Sequence, residues 1–313
     1  MTTLFVREWG TGQPVIAMAP LGLDSTAFAG VGAFLAPRGF RTIAVDLPGF
    51  GRTPLPDAAL TPAVLAAPVI ELARSLDAPP ILLGVSLGGR VALEIALAAP
   101  DACGAVIAVA PYLPWRRHRA WLDWAWLLDP RLADWMPLEL FWPVLRRLAA
   151  FMEQAPYLRD DELAQAGARL IYYLSCPATR RAFMSAAREL ALDPTEGPEG
   201  LWARMARLAV PTGFVWCERD QLISLRFAGA ATRACPNASQ VLLPCAGHWL
   251  NGPHHRCLAA AVADLAPRLL AGDDERSKTR HASGVDFEVH ACVVTRAAEP
   301  ALATGVSEEV GRA

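Results

Sequence analysis

Four short, almost unbroken apolar runs, Val15 to Ala19, Thr42 to Val45, Ile81 to Val85 and Ala105 to Val109, do most to limit what this chain can fold into. A strand with one face in water alternates apolar and polar residues, whereas a strand covered on both faces of a parallel sheet needs no alternation. Between these runs lie segments with helical spacing, Ala27 to Leu35, Thr61 to Leu76 and Ser86 to Ala98. The alternation of strand and helix predicts an α/β class fold, a mostly parallel sheet flanked by helices.

From Pro111 to about Gly200 the pattern changes to Trp, Arg, Leu and Ala at helical spacing, broken by Pro130, Pro137, Pro143, Pro156 and Pro177. No strand-like run occurs there, so the segment reads as an inserted, all-helical unit. Strand signals return at Thr212 to Cys217 and Gln240 to Leu243, and a helix from about His254 to Leu270 closes the globular part. The expected division is therefore a core made of residues 1–110 and 201–271, an insertion at 111–200, and a polar, flexible C-terminal tail at 272–313. Within that tail, Val285 to Val294 has the composition of a single strand.

The chain is 53% hydrophobic with a mean hydropathy of +0.27, which raises the question of a membrane segment. The longest nearly apolar stretch, Ala102 to Trp115, is interrupted by Gly104, Pro111 and Pro114 and falls short of the roughly 20 residues that span hydrocarbon. No stable membrane insertion is expected. The first residues reach Arg7 and Glu8 before the apolar core of a signal peptide can form, which points to a cytoplasmic protein. A net charge of -2 with dispersed basic residues lacks the footprint of a nucleic-acid binder. The seven cysteines include no C-x-x-C pair, so neither a disulfide framework nor a zinc site is indicated, and reduced thiols are expected.

Chemistry concentrates where strands end. Ile81 to Val85 runs into Gly84-Val85-Ser86-Leu87-Gly88 and then a helix, the strand, turn and helix context that gives G-x-S-x-G its meaning. In such an elbow the serine sits on a sharp turn, with small residues two positions either side and a helix N-terminus at its back. Serine is a weak nucleophile without a base, and the base needs an orienting acid. Of the six histidines, His248 lies in the loop directly after the run Gln240 to Leu243, whereas His118, His254, His255, His281 and His290 fall in the insertion, the last helix or the tail. Asp220 follows the run Thr212 to Cys217 in the same way. Sites in open α/β sheets form at the carboxyl ends of strands, and Ser86, Asp220 and His248 all occupy that edge.

The chain resembles the α/β-hydrolase-fold superfamily over roughly residues 4 to 271. The resemblance rests on Asp46-Leu47-Pro48-Gly49-Phe50-Gly51-Arg52-Thr53, the elbow around Ser86, Trp216-Cys217-Glu218-Arg219-Asp220 and Ala246-Gly247-His248-Trp249. It implies Ser86 as nucleophile, His248 as base, Asp220 as acid, the Leu87 N–H as one oxyanion donor, and the insertion as a cap over the site. Many relatives carry His-Gly where this chain reads Ala19-Pro20, and proline has no N–H to donate. The second donor is then Leu21, or Gly22 if the alignment slips by one. Asp46 belongs to a structural turn in this resemblance, and Gly49-Phe50-Gly51 is too short for a dinucleotide fingerprint. The basic cluster Arg116, Arg117, His118 and Arg119 reads as a solvated helix face.

The expected function is a serine hydrolase that cleaves a small to medium apolar ester or related acyl compound through an acyl-enzyme on Ser86. It needs no cofactor and no metal. Trp115 and Trp249 are the expected substrate contacts. A carbon-carbon bond hydrolase or a cofactor-free perhydrolase could use the same three residues, and a non-catalytic ligand-binding member of the fold is the reading from a different class. An epoxide or haloalkane hydrolase would need a carboxylate where Ser86 stands.

Overall fold

The computed structural model describes residues 3–114, 177–195, 197–235, 238–244, 246–248, 254–272, 279–280 and 285–290, with a few further positions between 143 and 174. Trp115 and Trp249 lie outside the described residues, as does most of the inserted segment.

Eight elements make the first half of the core: β1 (Val6–Trp9), β2 (Gln13–Met18), α1 (Ala29–Leu35), β3 (Phe40–Val45), α2 (Pro62–Arg74), β4 (Ile81–Val85), α3 (Leu87–Ala98) and β5 (Ala105–Val109). After the insertion, whose described helix α4 spans Pro177–Leu192, come α5 (Leu201–Met205), β6 (Thr212–Cys217), α6 (Arg226–Ala234), β7 (Ser239–Leu243) and α7 (His254–Ala271). Two strands, β8 (Thr279–Arg280) and β9 (Asp286–Val289), complete the sheet.

The strand order is β1-β3-β2-β4-β5-β6-β7-β9-β8. β3, β2, β4, β5, β6, β7 and β9 run parallel, and β1 and β8 are antiparallel to their neighbours at the two edges. Alternate side chains of β2 explain the layering. Ile16 and Met18 join Leu65, Val69 and Val91 of α2 and α3, while Val15 and Ala17 join Val31, Leu35, Leu258 and Val262 of α1 and α7. With both sheet faces covered, the central strands carry no polar alternation, which is why they were legible as continuous apolar runs.

The chain leaves β2 towards β3 on one side and then crosses to β4 on the other, so the crevice beyond the ends of β2 and β4 is a topological switch point, the usual place for a site in such sheets.

After residue 271 the single strand that Val285 to Val294 offers forms over Asp286–Val289 and rejoins the sheet. Val285 and Phe287 are buried, β9 pairs with β7 through Val241 and Leu242, and Arg268 of α7 holds Glu288 at 2.9 Å. Val285 and Phe287 alternate with the polar Asp286 and Glu288, and this half-apolar strand finds an edge whose N–H and C=O groups need partners. Residues 291–313 lie outside the described ones.

Candidate active site

Packing around Ser86 accounts for each small residue of the elbow. A Cβ on Gly84 would come 2.2 Å from the carbonyl oxygen of Gly88, and a Cβ on Gly88 would come 2.1 Å from the carbonyl oxygen of Met18. Strand β4, helix α3 and the end of β2 meet more closely than any side chain permits. Gly89 faces Pro111 in the same way, at 2.8 Å from its Cβ.

Ser86 itself has φ 53° and ψ -110°, and with Ala110 it is the non-glycine residue of positive φ among those described. Such a backbone costs on the order of 1–3 kcal/mol and persists only where its surroundings fix it. Here the Ser86 N–H donates to Val109 O at 3.0 Å, and its carbonyl accepts from Arg90 N at 3.0 Å and Tyr112 N at 2.9 Å. Leu87 opens α3, so its N–H is a first-turn donor with no acceptor inside the helix. Leu21 and Gly22 lie in a turn closed by Leu23 N donating to Pro20 O at 3.0 Å, with Gly22 at φ 79°. That left-handed value at the third position is what a type II turn demands, and a glycine supplies it without strain.

Asp220 stands in a turn after β6 with its side chain fully buried. One carboxylate oxygen accepts from Leu222 N at 2.8 Å and Ile223 N at 2.7 Å, and the other meets His248 Nδ1 at 2.8 Å. A carboxylate only accepts, so Nδ1 carries the hydrogen of this bond and Nε2 faces away from Asp220. The loops that bear the two residues are stitched together, Glu218 N to Leu243 O and Arg219 N to Ala246 O, each at 3.1 Å. His248 is 4% exposed. The structure thus joins Asp220 to His248 and sets both on the sheet edge where β4 ends in Ser86.

Two other acids are occupied elsewhere. Asp46 accepts from Ser25 N at 2.7 Å and Arg52 N at 2.8 Å, bracing the turn around Gly51, whose Cβ would strike the Asp46 carboxylate. Glu94 is held by Arg90 and Arg204 at 2.7 Å each. Among the described residues no group of three or more His, Cys, Asp or Glu side chains is arranged to hold a metal ion, and no helix is long and apolar enough to cross a membrane.

Sequence reasoning missed two residues beside the site. Tyr112 gives its backbone N–H to Ser86 and its hydroxyl to Leu190 O, at 2.8 Å, and Phe183 of α4 lies against Gly22, whose Cβ would come 3.3 Å from its ring. Neither position has a spacing signal, because both depend on how the insertion returns to the core.

The sequence profile of the Alpha/beta hydrolase family matches residues 15–265. A pimeloyl-[acyl-carrier protein] methyl ester esterase of Edwardsiella ictaluri is 28% identical over 276 residues, 85% of this chain and 98% of that one. A 2-hydroxy-6-oxononadienedioate/2-hydroxy-6-oxononatrienedioate hydrolase of Cupriavidus pinatubonensis is 23% identical, covering 83% of this chain and 89% of its own length. Among solved structures, an enol-lactonase from Burkholderia xenovorans superposes with a TM-score of 0.63 at 17% identity, over 85% of this chain and 97% of that one. A thermophilic esterase from Thermogutta terrifontis does so with a TM-score of 0.62 at 21% identity, over 86% and 94%.

Proposed function

This chain belongs to the Alpha/beta hydrolase family, and from that membership we propose that it is a cytoplasmic serine hydrolase of apolar acyl esters, with Ser86, His248 and Asp220 as its triad. The observation that carries the reading is the buried 2.8 Å hydrogen bond from His248 Nδ1 to Asp220, at the sheet edge where β4 delivers Ser86 in a strained turn.

In this mechanism the Ser86 hydroxyl attacks the acyl carbonyl while His248 Nε2 takes its proton. The Leu87 N–H, with that of Leu21 or Gly22, stabilises the oxyanion, a contribution of about 3–4 kcal/mol per donor in comparable sites. The imidazolium, steadied by Asp220, gives the proton to the leaving alcohol, and water repeats the sequence on the acyl-enzyme. The named esterase relative favours ester cleavage, and the Trp-rich insertion favours an apolar acyl group of small to medium length.

Labelling with a fluorophosphonate probe, followed by mapping of the adduct, tests the assignment. The adduct is expected on Ser86, and Ser86→Ala should lose labelling and nearly all turnover. A Ser86→Ala protein that keeps more than about a tenth of the activity sinks the reading, since losing a nucleophile costs several orders of magnitude. The 2-hydroxy-6-oxononadienedioate hydrolase among the relatives favours a second reading, carbon-carbon bond cleavage on the same residues. Turnover of such a dienedioate at a kcat/KM above that of every ester tried would decide for it.

A further inference from the structure

We propose that Arg90 and Asp193 are positioning residues, an ion pair that locks the last helix of the inserted segment to the helix that Ser86 caps and so sets how the acyl group meets the nucleophile. The inference rests on Ser86 being that nucleophile.

Arg90 lies one turn into α3, its backbone N–H closing on the Ser86 carbonyl. Its side chain is 2% exposed. Nε and Nη2 reach the two Asp193 carboxylate oxygens at 2.8 and 3.3 Å, and Nη1 reaches Glu94 at 2.7 Å. Asp193 is the residue directly after α4, and three positions earlier Leu190 O accepts the Tyr112 hydroxyl. The C-terminal end of α4 is therefore tied to the elbow through a side-chain ion pair on one side and through Tyr112, itself bonded to Ser86, on the other. Further up the helix, Ser185 accepts from Leu60 N at 3.0 Å, and Phe183 rests on the Gly22 turn.

Stability is a poor explanation for this arrangement. A guanidinium and two carboxylates taken out of water, with Arg204 only partly so, pay a desolvation cost that their attraction only roughly offsets, and apolar side chains of similar size often serve as well or better. What such a network does supply is a fixed geometry. Phe183 is ten residues from Asp193, about 15 Å along the helix, so a rotation of α4 by about 5° about its tether moves the ring by more than 1 Å. A displacement of that size near reacting atoms is able to cost about a hundredfold in rate.

The test uses the full chain with the charge-balanced double substitution Arg90→Met/Asp193→Leu, which leaves the Glu94 and Arg204 pair intact. Its thermal midpoint and fluorophosphonate labelling of Ser86 are expected to stay close to those of the wild type. Against p-nitrophenyl esters, kcat/KM for the best acyl chain should fall about tenfold or more while the acetate ester changes less, flattening the chain-length profile. Where the double variant does not fold, Arg90→Lys, which keeps the charge and loses the two-pronged grip, should flatten the profile in the same direction. A folded variant with unaltered kcat/KM and profile overturns the proposal while leaving the labelled Ser86 reading intact. A wild-type protein that takes no label on Ser86 overturns both.

Discussion

Phe287 offers the sharpest test of how the chain ends. The residue is fully buried in β9, which lies beside β7, the strand that leads into the His248 loop. Cutting such a side chain back to alanine costs about 3–5 kcal/mol, the transfer of the lost ring plus the cavity it leaves. Against a total stability of about 5–15 kcal/mol that is a large share. With a urea dependence of about 3 kcal/mol per molar, the unfolding midpoint of Phe287→Ala should fall by about 1 M or more. Truncation after Gly272 should be worse, because it also removes Val285, the partner of Arg268 and the bond from His290 N to Leu242 O. It would leave β7 as a bare edge, with its N–H and C=O row open to another chain. The assay is urea unfolding followed by tryptophan fluorescence, with light scattering to detect association. A truncated protein that scatters light as the full chain does and unfolds at the wild-type midpoint would show that β9 contributes nothing to the core.

The remaining expectations touch the site and its supports. Gly88→Ala must push α3 away from the Met18 carbonyl, so kcat/KM should fall by about a hundredfold or more, and a variant with wild-type kinetics would refute the packing account of the elbow. Glu94 is buried, which by itself raises its pKa, but hydrogen bonds from Arg204 and Arg90 and their charges outweigh that and hold it below the ordinary glutamate value. The unfolded chain then takes up the proton first, so this stability is present above about pH 4.3 and drains away as the pH falls through the lower folded value; Glu94→Gln should show a flatter acid limb of thermal midpoint against pH. Burial raises the Cys103 thiol to about 12 and the Cys235 thiol to about 11, so a disulfide reagent at pH 8 should leave both unreacted in the native protein and reach them on unfolding.

What the sequence disclosed and what it hid divide along physical lines. β4, β5 and β6 begin and end where their apolar runs do, because a strand buried on both faces leaves no polar residue to blur its pattern. β1 and β8 were not foreseen, since short edge strands carry mixed composition and owe their form to a neighbour. The triad candidates were legible because each follows a readable strand, and the sheet converts that local position into a shared edge. Distinguishing Asp220 from Asp46 required more. Both are aspartates in turns after strands, and both accept two backbone N–H groups through their carboxylates. In Asp46 those two bonds employ both oxygens, one each, which makes it a brace between loops. In Asp220 both fall on one oxygen, and the second oxygen is thereby aimed at His248. The distinction lies in which oxygen is left to face a histidine that is 28 residues away in sequence, and composition and spacing carry no record of that.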